Sequence, residues 1–115
     1  MSKQTIQKLK IKTGSCNRCF KEYNLYKVEL QKELERLTTM QNKGEEETKL
    51  RQQQNVIEET KQMIPNSQSR LQQAYSDLKK FLEEVKDDQT LLETPEYKTA
   101  LTAISQVEES NNVTP

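Results

Sequence analysis

Leu50, Ile57, Ile64, Leu71, Leu78 and Val85 recur every seven residues without a slip. A sustained heptad of this kind suits a helix and defeats a strand, and its apolar ridge must be covered by another helix. An earlier stretch carries the same signature in steps of three and four: Ile6, Leu9, Thr13, Cys16, Phe20 and Tyr23, continuing through Lys27, Leu30, Leu34 and Leu37, with Tyr26 and Val28 beside it. Two long seams predict two long helices that pair.

Few residues interrupt them. The chain has only two Gly and three Pro, so its elements are few and long. Gly14 falls inside the first seam and costs roughly 1 kcal/mol against Ala, yet the pattern keeps its phase across it. The first helix is predicted over residues 3–41. Asn42, Lys43 and Gly44 form the turn, with Gly44 suited to the left-handed backbone that ends a helix. Glu45, Glu46 and Glu47 follow, acids that favour the positive end of a new helix. Glu45 with Lys49 and Glu47 with Arg51 are pairs at i,i+4.

The second helix is predicted over residues 45–86, with Val56, Met63, Ala74, Tyr75, Phe81 and Leu82 filling in beside its seam. Pro65 removes a hydrogen bond and crowds the preceding turn. No capping residue precedes it and the seven-residue spacing passes through it, which predicts a kinked but continuous helix. Asp87 and Asp88 end that helix, and residues 89–93 read as a loop pinned by Leu91 and Leu92. Thr94 and Pro95 have the form of an N-cap and first helical residue. A third helix over residues 95–109 would present Tyr97, Ala100, Leu101, Ile104 and Val107. Residues 110–115 read as a disordered tail. The expected fold is all-α: an antiparallel three-helix bundle, two long helices (the second kinked at Pro65) and a shorter third, forming one domain over residues 1–109.

Composition fits this and narrows function. Apolar and charged residues each make up 31% of the 115 residues, too few apolar ones for a layered α/β core but enough for helices with one apolar stripe each. Lys and Arg number 18 and so do Asp and Glu, without the basic excess expected of a duplex-binding domain. No apolar run approaches the roughly 20 residues that span a bilayer. MSKQTIQKLKIK lacks the apolar core of a secretory signal, so a cytosolic protein is expected. There is no His and no glycine-rich phosphate loop. The acids alternate with bases along helix surfaces, as on a solvated face. Cys16 and Cys19 have no second pair or His to complete a tetrahedral zinc site, and they sit inside a helical pattern, where two small helix residues outweigh a redox motif. No enzyme, cofactor or metal is expected. Binding is expected instead. At about 1.5 Å per residue the first two helices would each be on the order of 60 Å long, and the third less than half that. Part of the seam would lie open, and exposed apolar stripes mark partner surfaces. A chaperone-like binder and a self-associating coiled-coil scaffold both satisfy this.

Three stretches, in order, sharpen the choice: LKIKTG (residues 9–14), MIPNSQSRLQQAYSDLKKFL (residues 63–82) and EYK (residues 96–98). Together they resemble the tubulin-binding cofactor A family. The linker at residues 42–47 departs from that family's longer turn, and the CNRC stretch at residues 16–19 is also particular to this chain. The resemblance implies a three-helix bundle acting as a cytosolic folding cofactor associated with the microtubule cytoskeleton, without ATP or metal. It would capture β-tubulin released from the cytosolic chaperonin and hold it for later cofactors that build the α/β heterodimer, as a monomer or weak homodimer. The contact residues it points to, on the matching segment, are Met63, Pro65, Arg70, Gln73, Tyr75 and Lys79. Lys10 and Lys12 would meet an acidic tubulin surface. Against these stand plainer roles: Met63 and Tyr75 flanking the core, Pro65 setting the bend, the lysines solvated.

Overall fold

The first seam becomes one helix. In the computed structural model, which describes residues 3–114, α1 spans Lys3–Asn42 and runs through Gly14 unbroken. Gly44, at φ +71°, then reverses the chain, a backbone region where a side chain is strained. α2 spans Glu47–Glu84 and continues through Pro65 without interruption. Pro65 lies on an exposed side of α2, where water can reach the Lys61 carbonyl that loses its amide partner. Both expected acid–base pairs are present at the start of α2, Lys49 with Glu45 at 3.6 Å and Arg51 with Glu47 at 3.5 Å.

A fourth, short helix replaces the expected loop. α3, Gln89–Leu92, is started by Asp88, whose carboxylate accepts the Leu91 amide at 3.2 Å. Leu91 is fully buried, so this turn plugs the end of the core. α4, Pro95–Glu109, begins as expected: Pro95 follows Thr94, whose hydroxyl oxygen accepts the Tyr97 amide at 3.2 Å. All regular structure among the described residues is helical.

The long helices run in opposite directions, since Glu33 of α1 meets Gln53 and Thr60 of α2, Glu22 meets Arg70, and Lys12 meets Phe81. The molecule is 64 Å long and 23 by 17 Å across, the length of α1 at about 1.5 Å per residue. α4 covers only one end. There the core is apolar: Leu9, Cys16, Leu71, Tyr75, Leu78 and Val107 are all fully enclosed. Thr13 joins them, its hydroxyl satisfied by the Leu9 carbonyl at 2.8 Å.

At the other end only α1 and α2 meet, and the seam changes chemistry. Gln53 and Thr60 are buried alongside Ile57. Gln53 donates to the Glu33 carbonyl at 2.9 Å, and the Thr60 hydroxyl lies against both carboxylate oxygens of Glu33, 2.7 Å from Oε2. The partly uncovered seam foreseen from helix lengths is thus closed largely by polar pairing, with Leu34 left 37% exposed. Val56 and Met63, expected to fill in beside the seam, are instead exposed.

The segment after α4 also differs from expectation. Read as a disordered tail, residues 110–114 lie along α2. Gln72 and Thr114 exchange two hydrogen bonds, at 3.0 and 2.7 Å, and Val113 packs against the core. Pro115 lies outside the described residues.

Candidate functional site

The molecule presents helix faces in place of a deep cleft, and those not covered by another helix are the candidate surfaces. The heptads define them. On α1 the residues that precede seam positions form one flank, among them Lys8, Lys12, Cys19, Glu22, Tyr26 and Glu29. On α2 the corresponding flank includes Glu84, Phe81, Asp77, Arg70, Met63 and Val56. Because the helices are antiparallel, these two flanks look out on the same side. α4 and the segment after it occupy the opposite side, where Glu108 reaches Tyr75 and Lys79 and Thr114 reaches Gln72.

The free side carries three hollows along its length. One, near the start of α1, is lined by Lys8, Ile11 and Lys12 against Asp77, Lys80 and Phe81. Ile11 is 61% exposed, and the Lys12 ammonium lies 5.7 Å from the centre of the Phe81 ring. A second is lined by Tyr26, Glu29, Glu59 and Met63. The third runs from Glu29 past Val56 to Met40. Between the first and second, Glu22 and Arg70 face each other across the groove at 3.9 Å.

The eight residues singled out from sequence therefore divide. Lys12, Met63 and Arg70 lie in or across this groove. Lys10 and Pro65 are exposed outside its lining, and Gln73 is exposed with its amide on Asp77 of the same helix at 3.0 Å. Tyr75 and Lys79 are elsewhere altogether. Tyr75 is fully buried and donates its phenol to Glu108, while Lys79 reaches Glu108 at 2.9 Å and the Tyr75 oxygen at 3.1 Å. This trio clasps α4 to α2. Burial pushes the Tyr75 phenol up and the bond to Glu108 adds to it. The Tyr75 and Lys79 hydrogen bonds hold the Glu108 carboxyl below its ordinary value, and Glu108 chiefly raises Lys79 in return. A side chain sealed in this way offers nothing to a partner, so Tyr75 is a core residue.

Ile11, Tyr26, Val56 and Phe81 are groove residues that sequence reasoning did not select. Ile11, Tyr26 and Val56 stand one or two residues before a seam position, and Phe81 just before the buried Leu82. That signal could be read only once the side taken by α4 was known.

Chemistry is sparse. Cys16 is fully enclosed, and burial pushes its thiol up to about 11, with Cys19 adding to the shift. A thiol held protonated at neutral pH is a poor nucleophile. Cys19, half-buried, is also a free thiol. Among the described residues no group of three or more Cys, Asp or Glu could hold a metal ion, and no helix is long and apolar enough to cross a membrane.

Long paired helices, a short third helix on one side and an open groove on the other define a helical partner-binding protein. The comparisons give that class a family. The family model for Tubulin binding cofactor A matches residues 4–104. Tubulin-folding cofactor A of Arabidopsis thaliana is 38% identical over 104 residues, covering 90% of this chain and 91% of the relative. Tubulin-specific chaperone A of Mus musculus is 35% identical over 107 residues, covering 93% and 96%. The crystal structure of the Arabidopsis thaliana cofactor superposes with a TM-score of 0.83 at 37% identity over 94% of this chain and 99% of that one. The human tubulin chaperone cofactor a gives 0.75 at 35% identity over 90% and 98%. The chain belongs to the tubulin-binding cofactor A family.

Proposed function

We propose that this protein is a tubulin folding cofactor that captures β-tubulin after its release from the cytosolic chaperonin and holds it on the way to the α/β heterodimer. The observation that carries this reading is the family match across residues 4–104. It is joined by helix faces that bear unpaired charge and exposed apolar side chains, with no cluster of metal-ligating side chains among the described residues. α1, α2 and α4 serve as an antiparallel three-helix bundle, kinked at Pro65, with α3 as a connector. The protein works in the cytoplasm as a monomer or weak homodimer and hands its client to other tubulin cofactors. No nucleotide or metal enters the mechanism. Holding is a matter of mass action: a surface that binds the incompletely assembled client lowers its free concentration and so its aggregation. Of the eight sequence candidates, Lys10, Lys12, Met63, Pro65, Arg70 and Gln73 remain open to a partner, whereas Tyr75 and Lys79 would act only by fixing α4.

The test is capture of tubulin chains released from the chaperonin, read by co-elution in gel filtration. A complex with β-tubulin and none with α-tubulin is expected. Capture of neither chain would overturn the proposal in favour of a coiled-coil scaffold.

A further inference from the structure

The segment after α4 shows what the neighbouring face of α2 binds. At the end of α4 the chain turns at Asn111, whose φ is +59°, a left-handed conformation that Asn accepts more readily than most residues with a side chain. The turn is closed within itself. The Ser110 amide donates to the Val107 carbonyl at 3.2 Å, and the Asn111 amide to the Glu108 carbonyl at 3.1 Å. It sends residues 112–114 back along α2 as a short strap. There Gln72 holds Thr114 by both main-chain groups. Its amide oxygen accepts the Thr114 N–H at 2.7 Å, and its amide nitrogen donates to the Thr114 carbonyl at 3.0 Å. One helical turn away, Gln68 donates to the Asn112 carbonyl at 3.5 Å. Between these two contacts Val113 packs half-buried on the core.

The contact reads main chain. A glutamine amide offers both a donor and an acceptor, so it matches the N–H and C=O of any residue whatever its side chain. Only the place of Val113 asks for a type, and that type is apolar. The hold is also slight. All three hydrogen bonds to the strap are open to water, so each returns little more than it replaces, while ordering each strap residue costs entropy of similar size. Docked and released forms of the strap are therefore close in free energy. Beside Thr114 the surface continues into a hollow lined in part by Ser76, Lys79, Lys80 and Glu83.

We infer that this face of α2 is a docking site for a non-helical segment of the client chain, and that residues 112–114 hold it in cis until the client displaces them. The inference rests on the cofactor reading for the client's identity. The seated strap gives the occupant's chemistry: free main-chain N–H and C=O groups flanking one apolar side chain. A client chain that is not fully assembled still has strand edges with unpaired main-chain groups. A helix does not fit, because its own main-chain groups are already bonded to each other. A client segment that runs on past the place of Thr114 fills the hollow as well, which favours it over the strap.

The experiment uses the full chain. Val113→Asp frees the strap and leaves the site intact. Val113→Asp with Gln72→Ala frees the strap and removes the main-chain clamp. The first probe is a blocked peptide, Ser-Asn-Asn-Val-Thr, the sequence of residues 110–114, titrated against each protein and followed by amide chemical shifts. Because the strap occupies the site for part of the time, Val113→Asp should bind the peptide roughly threefold or more tighter than the wild type. Adding Gln72→Ala should weaken that binding roughly tenfold. The peptide with its Val replaced by Asp should not bind, and the peptide with its Thr replaced by Ala should bind within about twofold of the parent. The second probe is β-tubulin released from the chaperonin, whose capture should rise with Val113→Asp and fall again when Gln72→Ala is added. Thermal melts confirm that each variant folds. A strap that only held α4 down would give no gain with Val113→Asp, and that result overturns the inference. So does loss of binding by the Thr-to-Ala peptide, which would mean that side chains are read. If the peptide behaves as expected and the wild type captures β-tubulin, but neither variant changes that capture, the client is not the occupant and the inference falls while the cofactor reading stands. If β-tubulin is never captured but the peptide responses hold, the cofactor reading falls and the strapped site stands. A wild-type dimer that Val113→Asp turns into a monomer would make a second copy's strap the occupant and overturn the inference.

Discussion

Two ends of one helical hairpin solve the same burial problem differently. Around Leu9, Leu71 and Leu78 a third helix shuts water out of the seam, and the enclosed side chains are mostly apolar, with the Thr13 hydroxyl satisfied by the Leu9 carbonyl. Around Glu33, Gln53 and Thr60 there is no third helix, and the enclosed Gln53 and Thr60, on either side of the buried Ile57, are polar and hydrogen-bonded. Two helices alone leave the edges of their seam near solvent, so leucines there recover less transfer free energy than the same residues under a lid. Leu34 at 37% exposed against Leu9 at 0% measures the difference. A polar pairing at such a site adds little net stability but fixes register, because an unmade buried bond costs more than a made one returns.

The largest effect should come from breaking the lidded end. Leu71→Asp places an unpaired charge at a fully buried position, at a cost on the order of 5 kcal/mol, enough to unfold a protein of ordinary stability. Leu34→Asp, a partly exposed seam residue in the two-helix arm, should cost roughly 1–2 kcal/mol. Urea melts followed by circular dichroism separate the two. Equal costs would mean that the arm's seam is as well sealed as the core.

A middle-sized effect should follow from Thr60→Val. The change keeps shape but strips the Glu33 carboxylate of its buried hydroxyl partner, an expected loss of about 1–2 kcal/mol. The loss should be local. Amide hydrogen exchange should quicken within residues 28–40 and 47–62 and stay unchanged around Leu71 and Leu78, as expected of a low-stability segment beside a stable one. Uniform acceleration along the chain would show that the two ends unfold as one unit.

The distinction between the ends was half legible in the sequence. The seven-residue spacing of Leu50 to Val85 fixed helix identity and pairing because periodicity is a backbone-scale signal that composition cannot blur. Gly44 and the Thr94–Pro95 pair marked boundaries for equally local reasons. α3 left no such trace: four residues are shorter than any helical period can reveal, and its stability comes from the Asp88 cap and the burial of Leu91. The docking of Thr114 on Gln72 was likewise invisible, since it is an amide exchanging bonds with a distant backbone. For the candidate site, residue type was legible but side was not. Lys12 and Lys79 look alike in a heptad, yet one lies in the open groove and the other is tied to α4.

The glycines offer a smaller test with opposite signs at the two ends. Gly14 lies in the interior of α1, and a Cβ there would meet nothing within 4 Å. Gly14→Ala should stabilise the protein by roughly 0.5–1 kcal/mol, the helix-propensity difference between the two residues. Gly44, at φ +71°, has equal space but the wrong backbone for a side chain, and Gly44→Ala should cost about 1 kcal/mol. Thermal melts of the two variants should move in opposite directions.

The smallest effect concerns how α4 is held. Glu108 is the acceptor for both Tyr75 and Lys79, and those bonds hold its carboxyl below the ordinary value of 4.5. A carboxyl whose folded value is depressed stabilises the fold above its unfolded value and loses that contribution as the pH falls through the folded one. The clasp should therefore hold at neutral pH and loosen only in acid below the ordinary glutamate range. Lys79 is raised by the same partners, so its share persists at neutral pH and is lost as the pH climbs above the ordinary lysine value. Both charged groups are partly open to water, 46% for the Lys79 side chain and 36% for that of Glu108, so screening keeps the effect small. Glu108→Gln should remove the acid-side dependence contributed by this clasp while leaving the neutral-pH fold intact. The readout is the pH profile of Tm for wild type and variant, with a near-ultraviolet tyrosine signal reporting on Tyr75. If the two profiles fall in parallel through the acid range, α4 is held by the burial of Ala100, Ile104 and Val107, and the clasp merely decorates that packing.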